Sequence, residues 1–598
     1  MRELLRREQE TQEKQWFSAE TFFKELRAQG VLISPIRVTG RRFNYTDYPV
    51  MSFSFSSHAD SSMLHHGSPV ALFNEGSEDL CNGQIVTLYE GNGEILLFTD
   101  DFPEWLENGT LGIKLLPDGK SFELMHGVLK SIAKKENPRV SLLFEYLHGL
   151  KPLPISADKP EGIKPKNADL NDSQKEAAES CLSGESVNLI HGPPGTGKTT
   201  VLVEIVRQLI DRNFKVLVCA PSNAAVDHFA GSLLNCGIKI LRLGNTIKVN
   251  ENIWEHTPEG ILNREEYAKT LKKLRIQADE FRKLAKQYKR NFGKSEKEQR
   301  KLLYAEFRSI REEIRKQSAH YLEKSYDDAL VILGTPIGLN HPLLAGKEYD
   351  HVILDEAGQC LESLAWVVLQ KGKRMILAGD PYQLPPTVID REAGIKGLDI
   401  SILERGFASG LPSSLLNLQY RMPPVIAGFS SSFFYNGRLQ SSKQNTEEHL
   451  RFYDTAGANF QENQKDKGSY FNREEIDFIK QNLSEFSTDN RNTVFISPYS
   501  AQVELARKEL AGIRVSTIDS FQGQEAETVI ISLVRSNSEH KIGFLKDYRR
   551  MNVAITRAKN RLIIVGDSTT FGHDEFYRSF IEYTEKNSCY HSVFELLY

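Results

Sequence analysis

The chain has 598 residues, 40% of them hydrophobic and 26% charged, with a net charge of −4. That balance excludes a generally basic nucleic-acid coat, although a local basic groove stays open, and the length suits roughly three to five structural units. No apolar run approaches the ~20 residues of a membrane span, so a cytoplasmic chain with no membrane partner is expected. The six cysteines are scattered without a C-x-x-C pair, which gives no disulfide framework and no zinc or iron–sulfur site; they read as buried thiols.

Residues 1 to about 30 read as charged, amphipathic helix, with Trp16, Phe17, Phe22, Phe23 and Leu26 as an apolar stripe for docking on the rest of the chain. From about Gly30 to Met125 the texture changes to short β-rich pieces: VLISPIRV, MSFSFSS, SPVALFN, GQIVTLY, EILLFTD, LGIKLL and SFELM. Turn signals at Glu90-Gly91-Asn92-Gly93 and Pro117-Asp118-Gly119 separate them. A small barrel follows from that pattern, a shape that serves either as a scaffold or as a contact for single strands. Residues 126–150 turn helical again, and 151–167, with its prolines, reads as an extended linker.

The amide of Gln174, just before an amphipathic helix, has the donor and acceptor needed to recognise an adenine edge. The strand SVNLI then delivers HGPPGTGKTT, His191 to Thr200, to the helix TVLVEIVRQLI. Gly192, Gly197, Lys198 and Thr199 meet the pattern G-x-x-x-x-G-K-[ST], and the strand and helix around it make Gly192, Pro193, Pro194, Gly195, Thr196, Gly197, Lys198, Thr199 and Thr200 a phosphate cradle. Glycines turn backbone N–H groups toward a polyphosphate, the helix adds its positive end, Lys198 supplies a point charge and the Thr199 hydroxyl can reach Mg²⁺. A second buried strand, KVLVCA, ends in Pro221-Ser222-Asn223, small polar residues at the strand edge where open α/β sheets place ligands.

Residues 264–324 break this rhythm. Leu271, Leu274, Ala278, Phe281, Ala285 and Tyr288, and then Leu303, Phe307, Ile310 and Ile314, step by three and four around Asn291-Phe292-Gly293, the pattern of an antiparallel helical hairpin. Its basic residues, among them Lys272, Lys273, Lys283, Lys286, Lys289 and Arg290, make either a solvated coiled-coil face or an arm that touches a phosphate backbone.

The α/β pattern resumes with ALVILGTP, ending in Thr335-Pro336, and with YDHVILDEAGQ, whose apolar run delivers Asp355 and Glu356 to a strand end. One carboxylate there can hold Mg²⁺ while its neighbour orients and deprotonates water. MILAGDPYQLPPT ends in Asp380 and Gln383, and a glutamine beside a γ-phosphate can orient water or sense the phosphate. The second half repeats the class without a phosphate loop of its own. It offers Arg421 and Arg557, charges that could cross a cleft to a nucleotide held by the first half.

Taken in order, GPPGTGKT, LDEAGQ, GDPYQLPP, QYRMPP, TIDSFQGQE and NVAITRAK resemble the motif series of superfamily 1 helicases. The closest likeness is to subgroup B: the up-frameshift (nonsense-mediated-decay) helicases and the immunoglobulin mu-binding protein helicase. The likeness covers about 170–570. It implies two RecA-like α/β domains with parallel sheets, at 166–395 and 396–598, with an accessory barrel and helices over 1–165 and a hairpin inserted at about 255–325. It also implies that Gln174 reads adenine, Lys198 and Thr199 hold phosphate and Mg²⁺, Asp355 completes the metal site, Glu356 is the base and Gln383 meets the γ-phosphate. Arg421 and Arg557 would be the fingers, with Tyr420 near the base and Glu525 near the ribose.

Single-stranded DNA or RNA would cross Pro221, Ser222, Asn223, Thr335, Pro336, Ser497, Pro498 and Thr517 without its sequence being read, and the motor would move 5′ to 3′. Proline follows QYRM where the family commonly has histidine, a position without an assigned role. The expectation is a monomeric, minimal helicase core of prokaryotic type. An ATP-gated clamp, a motor that strips proteins without separating duplexes, and a P-loop ATPase acting on proteins share parts of the pattern.

Overall fold

The computed structural model describes all residues except 18–22, 29, 45–46, 57–58, 60, 62, 90, 108, 155–163, 245–248, 250, 288–292, 445–448, 466–467, 488 and 598. Near the N-terminus, β1 (Leu32–Phe43), β2 (Pro49–Ser54), β3 (Pro69–Asn74), β4 (Leu80–Tyr89), β5 (Asn92–Leu97) and β6 (Leu111–Leu115) close an antiparallel barrel in the order β1-β2-β5-β4-β3-β6. Side chains alternate across each strand, so Met51 and Phe53 of β2 and Ile95 and Leu97 of β5 fill the interior. SFELM is not one of the strands. Asp118 accepts the Ser121 N–H and caps a helix, Gly119–Ala133, that buries Phe122, Met125, Leu129 and Ile132 at helical spacing. Five residues of alternation are too few to separate the two periods.

The N-terminal helix Arg2–Phe17 docks as expected, but through other residues. Leu5 is buried, and the Glu8 carboxylate accepts the N–H groups of Ile389 and Asp390, while Asp390 accepts bonds from Arg7 and Thr11. Of the apolar stripe, Leu26 is buried and Phe23 lies half exposed against Phe73; Phe22 and the side chains of Trp16 and Phe17 lie outside the described residues.

The hairpin forms from Glu265–Lys286 and Lys294–Asp328, with Leu271, Ala278, Ala285, Phe307 and Ile314 buried along it. Several of its arginines grip the barrel. Arg311 donates to the Asp47 carboxylate and carbonyl and to the Asp100 carbonyl, Arg282 pairs with Asp101 at 2.8 Å, and the Arg282 and Arg311 guanidiniums lie over the Phe43 ring. Lys272, Lys273, Lys283 and Lys286 face solvent, and Lys289 and Arg290 lie outside the described residues. The exposed Arg315–Asp100 pair contributes about 1 kcal/mol at most, whereas the side chains of Arg311 and Asp47 are only 6% and 5% exposed. Arg311→Ala leaves the buried Asp47 carboxylate with the more distant Arg315 at 3.8 Å and is expected to weaken barrel docking by up to about 3–5 kcal/mol. Urea unfolding with limited proteolysis of the hairpin measures the loss; a change below about 1 kcal/mol would place the grip elsewhere.

The first α/β unit is a parallel sheet of β7 (Val187–His191), β8 (Val216–Cys219), β9 (Ile240–Arg242), β10 (Val331–Gly334), β11 (Tyr349–Leu354), β12 (Gly372–Gly379) and β13 (Ser413–Leu415), in the order β13-β7-β12-β11-β8-β10-β9. Helices cover both faces, which is why β8, β10 and β11 are near-continuous apolar runs. This unit extends beyond the expected boundary at 395. Ile402, Leu403 and Leu411 pack in its core and β13 is its edge strand, because the chain recrosses the sheet before leaving it.

The ribbon β14 (Leu418–Gln419) with β15 (Gln440–Ser441) then leads to β16 (Leu450–Asp454), the ribbon β17 (Asn463–Gln464) with β18 (Tyr470–Phe471), β19 (Thr493–Ser497), β20 (Arg514–Thr517), β21 (Ala526–Ser532), β22 (Ala558–Gly566) and β23 (Tyr590–Ser592). Six of these make the second parallel sheet, β20-β19-β21-β22-β16-β23. Two parallel α/β layers, a barrel and a hairpin are the architecture expected from the sequence. Five of the six cysteines are buried and Cys236 is exposed. Among the described residues no helix is long and apolar enough to cross a membrane.

Candidate active site

The loop after β7 is shaped by its glycines. Gly195 (φ 76°) and Gly197 (φ 75°) are left-handed, and a Cβ on either would come within 2.7 Å of Arg421 Cβ or Gln174 Nε2, respectively. The Gly192 N–H donates to the Gly379 carbonyl, and the buried Thr196 hydroxyl to the Pro193 carbonyl, so the loop is fixed at both sides. It opens the helix Lys198–Asp211, whose first-turn N–H groups have no intrahelical acceptors.

Beside it, β11 leads directly into Asp355 and Glu356. Lys198 Nζ lies 2.7 Å from Glu356 Oε1 and 3.7 Å from Asp355 Oδ1. Burial opposes the Lys198 charge, yet the two carboxylates outweigh it and hold the ammonium up at about 12. Burial also pushes Asp355 above the ordinary carboxylate range, against the pull of Lys198. Glu356 adopts φ 52°, an uncommon left-handed conformation for a non-glycine residue, and Gln359 donates to its Oε2 at 2.8 Å.

The facing wall comes from both units. Gln383 donates to Asp380 at 3.2 Å, and its Oε1 is 3.5 Å from Arg557 Nη2. Arg557 is buried, and that burial together with the neighbouring Arg421 brings it down to about 9, still cationic at neutral pH. Arg421 donates to Glu525 at 2.8 Å and to the Thr556 carbonyl at 3.0 Å. Burial works against Glu525, but Arg421 and Lys559 keep it below the usual carboxylate range. The half-exposed Tyr420 accepts a bond from Asn171, and the Tyr420 N–H donates to the Gly195 carbonyl.

Gln174 is only 4% exposed, and both ends of its amide are already engaged: Oε1 accepts the Asn171 N–H, and Nε2 donates to the Thr196 carbonyl. One lone pair and one N–H remain for a base. The structure thus gathers Gln174, the loop, Asp355, Glu356, Gln383, Tyr420, Arg421, Glu525 and Arg557 at one cleft. It adds partners that sequence reasoning missed: His191, Tyr382 and Tyr435, which converge on Asp380, and Asn552, which donates to the Tyr435 hydroxyl and the Tyr382 carbonyl. Only the position of Asp380 after an apolar run hinted at them.

The expected strand contacts divide. Ser222 and Asn223 are exposed, and Pro221, Thr335, Pro498 and Thr517 are half-buried, at the C-terminal ends of the neighbouring pairs β8/β10 and β19/β20. Pro336 and Ser497 are not on that surface. Pro336 is buried, and the Ser497 hydroxyl, 0% exposed, is given to the Ser532 carbonyl, because a strand's last inward residue is covered by the helix that follows.

Mg²⁺ retains waters and phosphate oxygens as most of its ligands, so one carboxylate (Asp355) and one hydroxyl (Thr199) suit it. Among the described residues no group of three or more His, Cys, Asp or Glu forms a cage able to hold a metal unaided.

Two sequence families, each described as an AAA domain, match residues 169–391 and 398–569. The chain is 30% identical over 636 residues to "DNA-binding protein SMUBP-2" of Rattus norvegicus, covering 99% of this chain and 63% of that protein, so it spans less than two thirds of that relative. It is 32% identical over 511 residues to "DNA polymerase alpha-associated DNA helicase A" of Schizosaccharomyces pombe, covering 80% of this chain and 76% of the other. It is 30% identical over 560 residues to an uncharacterized ATP-dependent helicase of Methanocaldococcus jannaschii, covering 83% and 82%.

Proposed function

This chain belongs to the up-frameshift-like family of superfamily 1B helicases, and on that footing we propose that it is an ATP-dependent motor that moves along single-stranded nucleic acid and separates duplexes. The observation that carries the reading is the cleft itself: Lys198, Asp355 and Glu356 on one wall and Arg557 touching Gln383 from the other unit.

In this reading ATP is the substrate. Lys198 exchanges its carboxylate partners for phosphate oxygens, which releases Glu356 to orient and deprotonate water. Mg²⁺ held by Asp355 and Thr199 would neutralise charge on the phosphates. Arg421 and Arg557 draw the second unit toward the triphosphate, and loss of phosphate removes that attraction and lets the cleft open. The small polar residues at the ends of β8, β10 and β20 support a grip on phosphates that does not read bases, on DNA or RNA.

Strand displacement from partial duplexes with a 5′ or a 3′ single-stranded overhang tests the motor. The 5′ overhang is expected to be unwound at least about tenfold faster, with ATP required. ATP turnover raised by single strands without displacement of either substrate would replace the motor with an ATP-timed clamp.

A further inference from the structure

The segment that carries Gln383 is built into both units. Leu384 packs in the core of the second unit, and the Tyr382 ring lies 5.8 Å from Phe434 and 5.5 Å from Tyr435. At the root of the segment, Asp380 is buried and accepts bonds from His191 at 3.2 Å, the Tyr382 N–H at 3.0 Å, Gln383 Nε2 at 3.2 Å and the Tyr435 hydroxyl at 2.7 Å.

Tyr435 follows the helix Pro424–Phe434, which begins just beyond Arg421. Its hydroxyl also accepts the Asn552 amide at 3.1 Å, and the same amide donates to the Tyr382 carbonyl at 2.8 Å. Asn552 sits in the helix Tyr548–Ile555, and Arg557, two residues beyond that helix, bonds back to its Val553 carbonyl at 2.9 Å. One pair of second-unit helices therefore fixes both the Gln383 segment and the arginine that touches Gln383.

Stability alone does not account for this arrangement. Asn552 is 0% exposed, and its Oδ1 is buried without a hydrogen-bond partner among the described residues, a position where an apolar side chain costs less. The amide is explained by what its N–H groups hold. Burial beside Asp380 keeps the Tyr435 phenol protonated, so it remains a donor to that carboxylate.

We propose that Tyr435 and Asn552 are positioning residues for ATP hydrolysis, transmitting the placement of the second unit to Gln383 through Asp380 and the Tyr382 carbonyl. This rests on the ATP turnover proposed above.

The test uses the full chain with Tyr435→Phe, Asn552→Ala and the double variant. Strand-free kcat, KM for ATP and melting temperature are measured, together with single-turnover rates in a Gln383→Ala background. Each single substitution is expected to lower kcat about tenfold with KM held within about twofold, and the double variant to fall no more than about twofold below the worse single. In the Gln383→Ala background, the same substitutions should change the rate less than about twofold, since the residue they act through is gone. Unchanged kcat, a rise in KM matching the fall in kcat, or an undiminished loss in the Gln383→Ala background would each overturn the proposal. Wild-type turnover that single strands do not stimulate would sink the motor but not the joint, which is judged without nucleic acid. A wild-type chain with no ATP turnover would overturn both.

Discussion

Glu356→Gln is expected to lower ATP turnover by about 10²–10⁴-fold while ATP and single strands still bind, the range that separates a positioned general base from its absence. The substitution is nearly isosteric, so the left-handed turn at 356 and the bond from Gln359 can persist. Lys198 keeps Asp355 at 3.7 Å and an amide oxygen in place of the carboxylate, so its charge stays available for phosphate. The loss therefore falls on kcat rather than on KM. Steady-state kinetics beside binding of a fluorescent nucleotide analogue separates the two. Undiminished turnover would remove Glu356 from the base role, and lost nucleotide binding would make it a structural partner of Lys198.

Arg557→Ala is expected to cost about 10³-fold or more in kcat, the lower part of the range for arginine fingers, with KM for ATP little changed. Its charge is held in a buried place, brought to about 9 by burial and by Arg421, and such an arrangement is sustained when an anion arrives to face it. Arg557→Lys should not restore activity, because the guanidinium also donates to the Val553 and Gln524 carbonyls while it reaches Gln383. Arg421 differs in being tied to Glu525 and Thr556, so it must give up those bonds to act. Turnover kinetics of the two Arg557 variants decides the matter; full activity in Arg557→Ala would dismiss the finger.

Much of the site could be read from the sequence because its parts are local. The loop from Gly192 to Thr200 is contiguous, and Asp355, Glu356 and Gln383 each follow an apolar run that had to be a buried strand. The two sheets and the hairpin followed from periodicity for the same reason. What escaped was set by distant partners. Nothing near Tyr435 or Asn552 signals that Tyr435 meets Asp380 or that Asn552 meets Tyr435, and nothing near Gln174 signals that the Thr196 carbonyl of the loop already accepts from its amide.

Exposure escaped as well: Ser497 has the right chemistry at the right strand end, yet its hydroxyl points to Ser532. SFELM departs from the strand pattern because a cap at Asp118 turns five alternating residues into a helix, and the first unit runs past 395 because β13 pairs with β7 only once the chain returns. In sequence the hairpin arginines look like phosphate-binding charges; Asp47 and Asp100 beneath Arg311 and Arg315 set them apart.

The coupling between the cleft and a strand is tested by ATP turnover of the full chain with and without matched single-stranded DNA and RNA oligomers, at saturating ATP and Mg²⁺. The expected result is a rise of about tenfold or more with at least one of them, lost in Glu356→Gln. Turnover that neither oligomer changes would contradict a motor driven along single strands.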